Sequence, residues 1–140
     1  MSLYLFDTDL LTLFREGHPV VCARAAVHSA DELATSIVTV EEQLTGWYTL
    51  LRQAKNDQRL TAAYERLTGT VRFFSRMQIL SFTMAAAARL VAFRKARLKI
   101  GTLDLRIACV ALEAQAILVT RNRVDFDLVP GLVIEDWSVA

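Results

Sequence analysis

The order of apolar segments predicts an α/β fold in which a central, mostly parallel sheet is covered by helices on both faces. Short apolar runs at residues 3–6, 33–38, 78–82, 117–119 and 132–134 alternate with longer segments of helical period. Strands separated by helices favour parallel pairing beneath two helical layers. Acidic residues fall at the ends of several runs, the edge at which open sheets of this kind bind ligands.

Each element has its own local cause. Leu3, Tyr4, Leu5 and Phe6 form a short buried strand that Asp7 closes. Leu10, Leu11, Leu13 and Phe14 then recur as one helix face, which stops near Gly17 and Pro19. Pro19 suits the first position of a second, Ala-rich helix because a proline there loses no hydrogen bond. Residues 33–38 read as the second strand and run into Thr39, which is placed to cap a helix carrying Val40, Leu44, Trp47, Tyr48 and Leu51 at helical spacing. A further helix over residues 57–76 makes a pair with it. Residues 78–82 give a third strand and 83–98 a helix with a basic end at Arg94, Lys95, Arg97 and Lys99. Gly101 breaks the chain before a helix at 103–114, and strands at 117–119 and 132–134 follow.

Composition narrows the function classes. A chain of 140 residues, 54% apolar, with only five Gly and two Pro and no repeat or linker, reads as a single domain spanning 1–140. A formal charge of +1 neither demands nor excludes a nucleic-acid partner. Cys22 and Cys109 lack metal-site spacing and fit two buried thiols in a reducing, cytoplasmic setting. No apolar run has the length of a signal peptide core or of a membrane span, so no membrane role is expected.

The candidate chemistry lies in acids placed where a core prefers carbon. Asp7 either caps the following helix or binds a ligand, and Asp9 is able to take the cap and release Asp7. Glu42 either closes a capping box with Thr39 or faces a cleft, opposite the apolar stripe of its helix. Gly46, one turn on, leaves room on that face, and Glu41 is the rival acid. Asp104 shares an inward stripe with Ile107, Ala108 and Ala111 in the first turn of its helix, where it either complements the helix dipole or, if the stripe faces the core, needs a cation or several donors. Asp125 lies in a polar turn, either as part of an Asx-type turn or as a ligand. Arg121 and Arg123 flank this edge as candidate substrate contacts, while His18 and His28 have no spacing that suggests a triad or zinc site.

The fragments Leu5-Phe6-Asp7-Thr8-Asp9, Thr39-x-x-Glu42-x-x-x-Gly46, Gly101-x-x-Asp104-Leu105-x-Ile107-Ala108 and Thr120-Arg121-Asn122-x-x-Asp125-Phe126 together resemble the PIN-domain family, and most of all its VapC-type toxins. The resemblance continues through Pro130-Gly131-Leu132 and Ile134-Glu135-Asp136-Trp137. It departs at Gln43, where an apolar residue is usual, and at Asp9, where Asn is common.

The resemblance implies a three-layer α/β fold and a Mg²⁺- or Mn²⁺-dependent ribonuclease. Asp7, Glu42 and Asp104 would be the catalytic metal-site acids, and Asp125 a fourth or supporting one. Thr8 and Asn122 match supporting positions, and Thr120 one near the substrate. Carboxylates without Cys or His suit such hard ions. The resemblance also implies a cognate antitoxin over the acidic cleft. A homodimer is expected as well, because Trp47, Tyr48, Phe73 and Phe74 are either core or an apolar face under another chain. Two alternatives remain: a catalytically silent interaction or RNA-binding module, and a nuclease acting on DNA.

Overall fold

The computed structural model describes residues 2–140. Five strands, β1 (Tyr4–Phe6), β2 (Leu33–Ser36), β3 (Gln78–Leu80), β4 (Ile117–Val119) and β5 (Ile134–Glu135), form one sheet in the order β3-β2-β1-β4-β5. Every pairing is parallel, with Leu5 opposite Ala34 on one side and Leu118 on the other. The central strands carry apolar residues on both faces because both faces are covered.

The two faces follow the alternation of side chains along a strand. Leu5, Ala34 and Leu118 point into a core closed by α5 (Met84–Lys95) and α6 (Thr102–Glu113), which also holds Phe126 of the short α7 (Arg123–Phe126). Phe6 and Val119 point into the opposite core, with Leu10 and Leu11 of α1 (Thr8–Arg15), Val21 of α2 (Pro19–Ala26) and Trp137. Pro19 does open α2, and His18 precedes it as the cap, its Nδ1 accepting from the Val21 N–H at 3.3 Å.

The predicted pair of helices is α3 (Ile37–Gln53) and α4 (Asp57–Phe74), which pack along each other. Trp47 Nε1 and Arg15 both donate to the buried Thr70 hydroxyl, at 2.7 and 3.0 Å, and so clip this pair to α1. Of the aromatic residues expected on an open face, Phe74 belongs to the core and Trp47 and Phe73 are half-buried. Tyr48 is exposed, as are Leu50, Leu60, Tyr64 and Val71. No helix among the described residues is long and apolar enough to cross a membrane.

The expected cap of α3 is corrected. Thr39 is not the cap, since the helix already begins at Ile37 and Ser36 accepts from the Thr39 N–H at 3.1 Å. The β-branched pair Ile37 and Val38 reads as strand by propensity, but Val38 gains a place in the core from inside the helix. The capping box of Thr39 and Glu42 therefore does not form. The final strand is likewise shorter than expected, because Gly131 at φ +81 turns the chain and pairing is confined to Ile134 and Glu135.

Candidate functional site

Asp7 sits where β1 gives way to α1, and it both caps the helix and faces a cavity. Its Oδ1 accepts from the Leu10 N–H at 2.8 Å, and its Oδ2 accepts from the Thr120 hydroxyl at 2.5 Å. Thr120 is wholly buried and in turn accepts from the Asn122 N–H at 2.9 Å, so the loop after β4 locks the carboxylate through a chain of donors. This puts Thr120 behind Asp7, as a residue that orients it. Asp9 does not take the cap. It forms a two-pronged ion pair with Arg121, Nε to Oδ2 at 2.7 Å and Nη2 to Oδ1 at 2.9 Å.

Glu42 is half-buried one turn into α3, where its Oε1 accepts from the Thr8 hydroxyl at 2.7 Å. Thr39 Oγ1 lies 3.2 Å from the same hydroxyl, so the residue misread as a cap supports the Thr8–Glu42 contact from inside the helix. Asp104 stands in the first turn of α6, whose cap position is Gly101 and so supplies no side-chain hydrogen bond. Asp125 is tied to Asn122, whose Nδ2 donates to its Oδ2 at 3.0 Å and whose Oδ1 caps α7.

These elements enclose a cavity of about 510 Å³ at the carboxyl edge of the sheet, lined by Asp7, Glu42 and Asp104 with Thr8, Asp9, Thr12, Arg121 and Asn122. Asp125 stands outside that lining, although its charge reaches Asp104. Glu41 faces a different cavity with Arg94 and Arg106. Nothing lies within 4 Å of a Cβ built on Gly46, so that side of α3 is open.

Burial dominates the electrostatics. It pushes the Asp7 carboxyl up to about 6; the bonds from Thr120 and Leu10 oppose it, and the charges of Asp9 and Asp104 add to it. The Asp104 carboxyl is also raised, first by burial and then by Glu42 and Asp125, and among the described residues no hydrogen bond acts to lower it. Among the described residues, Arg121 is the single basic side chain lining the cavity, and it is already paired with Asp9. The same residues contain no tight group of three His, Cys, Asp or Glu side chains able to enclose an ion. All-oxygen donors around an open cavity nevertheless fit a hard divalent ion that keeps several of its waters.

Sequence reasoning missed Thr12 and the pairing of Asp9 with Arg121. Thr12 was accessible to it, since it lies four residues after Thr8 on one helix face. The ion pair spans 112 residues and left no local signal.

The sequence matches the PIN domain over residues 4–132. It is 26% identical over 138 residues to ribonuclease VapC1 of Haemophilus influenzae strain R2866, covering 97% of this chain and 98% of that protein. Its fold resembles a chain of the DNA-bound VapBC structure from Salmonella typhimurium, with a TM-score of 0.78 at 23% identity, covering 98% and 99% of the two chains. VapBC-1 from nontypeable Haemophilus influenzae is similar too, at a TM-score of 0.77 and 21% identity, over 98% and 99%. With its acids gathered at the carboxyl edge of a parallel sheet, the chain belongs to the PIN domain family.

Proposed function

We propose that the protein is an endoribonuclease dependent on Mg²⁺ or Mn²⁺, and the toxin of a toxin–antitoxin pair. The observation that carries this reading is the convergence of Asp7, Glu42 and Asp104, from three separate elements, in one cavity. The ribonuclease name of the Haemophilus relative supports it.

In this reading Asp7, Glu42 and Asp104 hold the ion, and Asp125 acts on Asp104 from outside the lining. When bound, such an ion supplies Lewis acidity toward water and the phosphoryl oxygens. The chain's own part is placement. Thr120 and the Leu10 N–H fix the two oxygens of Asp7, Thr8 fixes Glu42, and Asn122 fixes Asp125. Ionised Asp7 is the form able to hold a cation, so holding weakens as the pH falls below about 6.

An antitoxin partner fits the two relatives described as VapBC structures. The exposed Tyr48, Leu50, Leu60, Tyr64 and Val71 on α3 and α4 offer apolar area for a covering chain, the antitoxin or a second copy in a homodimer. On this reading the protein works in the cytoplasm, where free thiols such as Cys22 and Cys109 stay reduced.

The test is cleavage of structured and single-stranded RNAs, with matched DNAs, in Mg²⁺, in Mn²⁺ and in EDTA. RNA cleavage that EDTA stops is expected. Cleavage of DNA alone, or none with either metal, would overturn the reading. Growth arrest on expression, reversed by the neighbouring upstream reading frame, tests the partnership.

A further inference from the structure

We propose that Asp9 is a positioning residue: it holds Arg121 so that the unused edge of the guanidinium receives a phosphate of the strand entering the acidic cavity. The inference rests on the nuclease reading above.

The guanidinium has five N–H donors in a fixed fork. Asp9 takes the Nε proton and one Nη2 proton, at 2.7 and 2.9 Å. Both Nη1 protons and the second Nη2 proton remain, and one Nη1 proton together with that Nη2 proton forms a second fork with the spacing of two phosphate oxygens. The Arg121 side chain is 48% exposed, and among the described residues its guanidinium donates only to Asp9, so the second fork has no partner within the chain.

The surroundings explain why such a residue is needed. Asp7, Glu42 and Asp104 repel a polyanion, and Arg121 is the basic side chain that lines the same cavity. Asp7 and Asp136 are the other acids whose charge Arg121 feels. Freed from Asp9, the guanidinium is drawn toward them, and on Asp7 it would displace the cation. Asp9 thus keeps Arg121 at the rim of the cavity and off Asp7, Glu42 and Asp104. A carboxylate that merely competed with phosphate would have the opposite effect on binding.

The experiment is a two-residue cycle, using Asp9→Ala, Arg121→Ala and the double variant, on a short single-stranded RNA in Mg²⁺. The readouts are kcat and KM, together with anisotropy titrations of the same RNA at several salt concentrations in an Asp104→Asn background. Arg121→Ala is expected to raise KM and Kd about tenfold with little change in kcat, and to reduce the salt slope by about 0.7, the share of one phosphate contact on a single strand. Asp9→Ala should raise KM severalfold and should add nothing once Arg121 is gone. Asp9→Glu should recover part of the loss. Tighter or unchanged RNA binding by Asp9→Ala, or losses that multiply in the double variant, would overturn the role of Asp9 while wild-type cleavage left the nuclease reading standing. A wild-type protein that neither binds nor cleaves RNA would remove both.

Discussion

Asp7 and Asp104 line one cavity but are held in different ways. Asp7 ends a strand, is only 5% exposed, and has each oxygen engaged by a donor of the chain. Asp104 opens a helix, is half-buried, and is raised by its acidic neighbours with no hydrogen bond to relieve it. The difference teaches that the site has a fixed part and a receptive part. The fold sets Asp7 through two hydrogen bonds, whereas it leaves the oxygens of Asp104 unengaged, which on the metal reading proposed above makes them the ones a cation would organise.

The strongest way to break this comparison is Asp104→Asn. It removes charge without removing a structural bond, so cleavage should fall about 10²- to 10³-fold, the usual cost of deleting one electrostatic contributor, while the melting temperature at neutral pH holds or rises, because burial and the charges of Glu42 and Asp125 disfavour the ionised carboxylate. A variant that melts several degrees lower would show that Asp104 is part of the framework after all.

Asp7 should couple activity to stability. Its folded pKa of about 6 lies above the ordinary 3.8, so its stabilising contribution is complete below about 3.8 and is lost as the pH rises through about 6. The gap corresponds to about 3 kcal/mol against the fold above that pH. Asp7→Asn should therefore stop cleavage yet, in EDTA, raise stability by up to that amount at pH 8 and by little at pH 4. Urea denaturation at the two pH values reads the difference directly. Mg²⁺ should stabilise the wild type more at pH 8 than at pH 5, because the ion binds the ionised carboxylate.

Thr120→Val leaves a buried carboxylate oxygen without its donor. The expected loss is about 1–3 kcal/mol, and the acid limb of the pH–rate profile should move upward, so that cleavage suffers more at pH 6 than at pH 8. An unshifted limb would mean that Thr120 does not tune Asp7. Thr8→Val should cost least, about 1 kcal/mol, since half-buried Glu42 can turn to water. A loss as large as that of Thr120→Val would place Glu42 in the fixed part of the site.

The alternation of strand and helix was legible because each element carries its own period, and so was the placing of acids at strand ends. What the chain hid was non-local. The sheet order depends on β1 pairing with both β2 and β4, and no residue of β1 states this. Around residue 37, β-branching favoured a strand, and the Ser36 cap together with burial of Val38 in the core goes with helix instead. The misreading of Thr39 was local: Ser36, three residues earlier, is as good a cap and takes the role. Asp9 looked like a local cap, yet its partner is Arg121, brought in by the loop after β4.

The central place of β1 has a bearing on the order of synthesis. Thr120 lies 113 residues downstream of the carboxylate it orients, and Asp125 follows later still. A growing polypeptide still short of β4 has neither the strand that completes the floor of the cavity nor the hydroxyl that locks its first acid. On the nuclease reading proposed above, a ribosome-bound chain lacks the completed site until nearly all of its length has emerged.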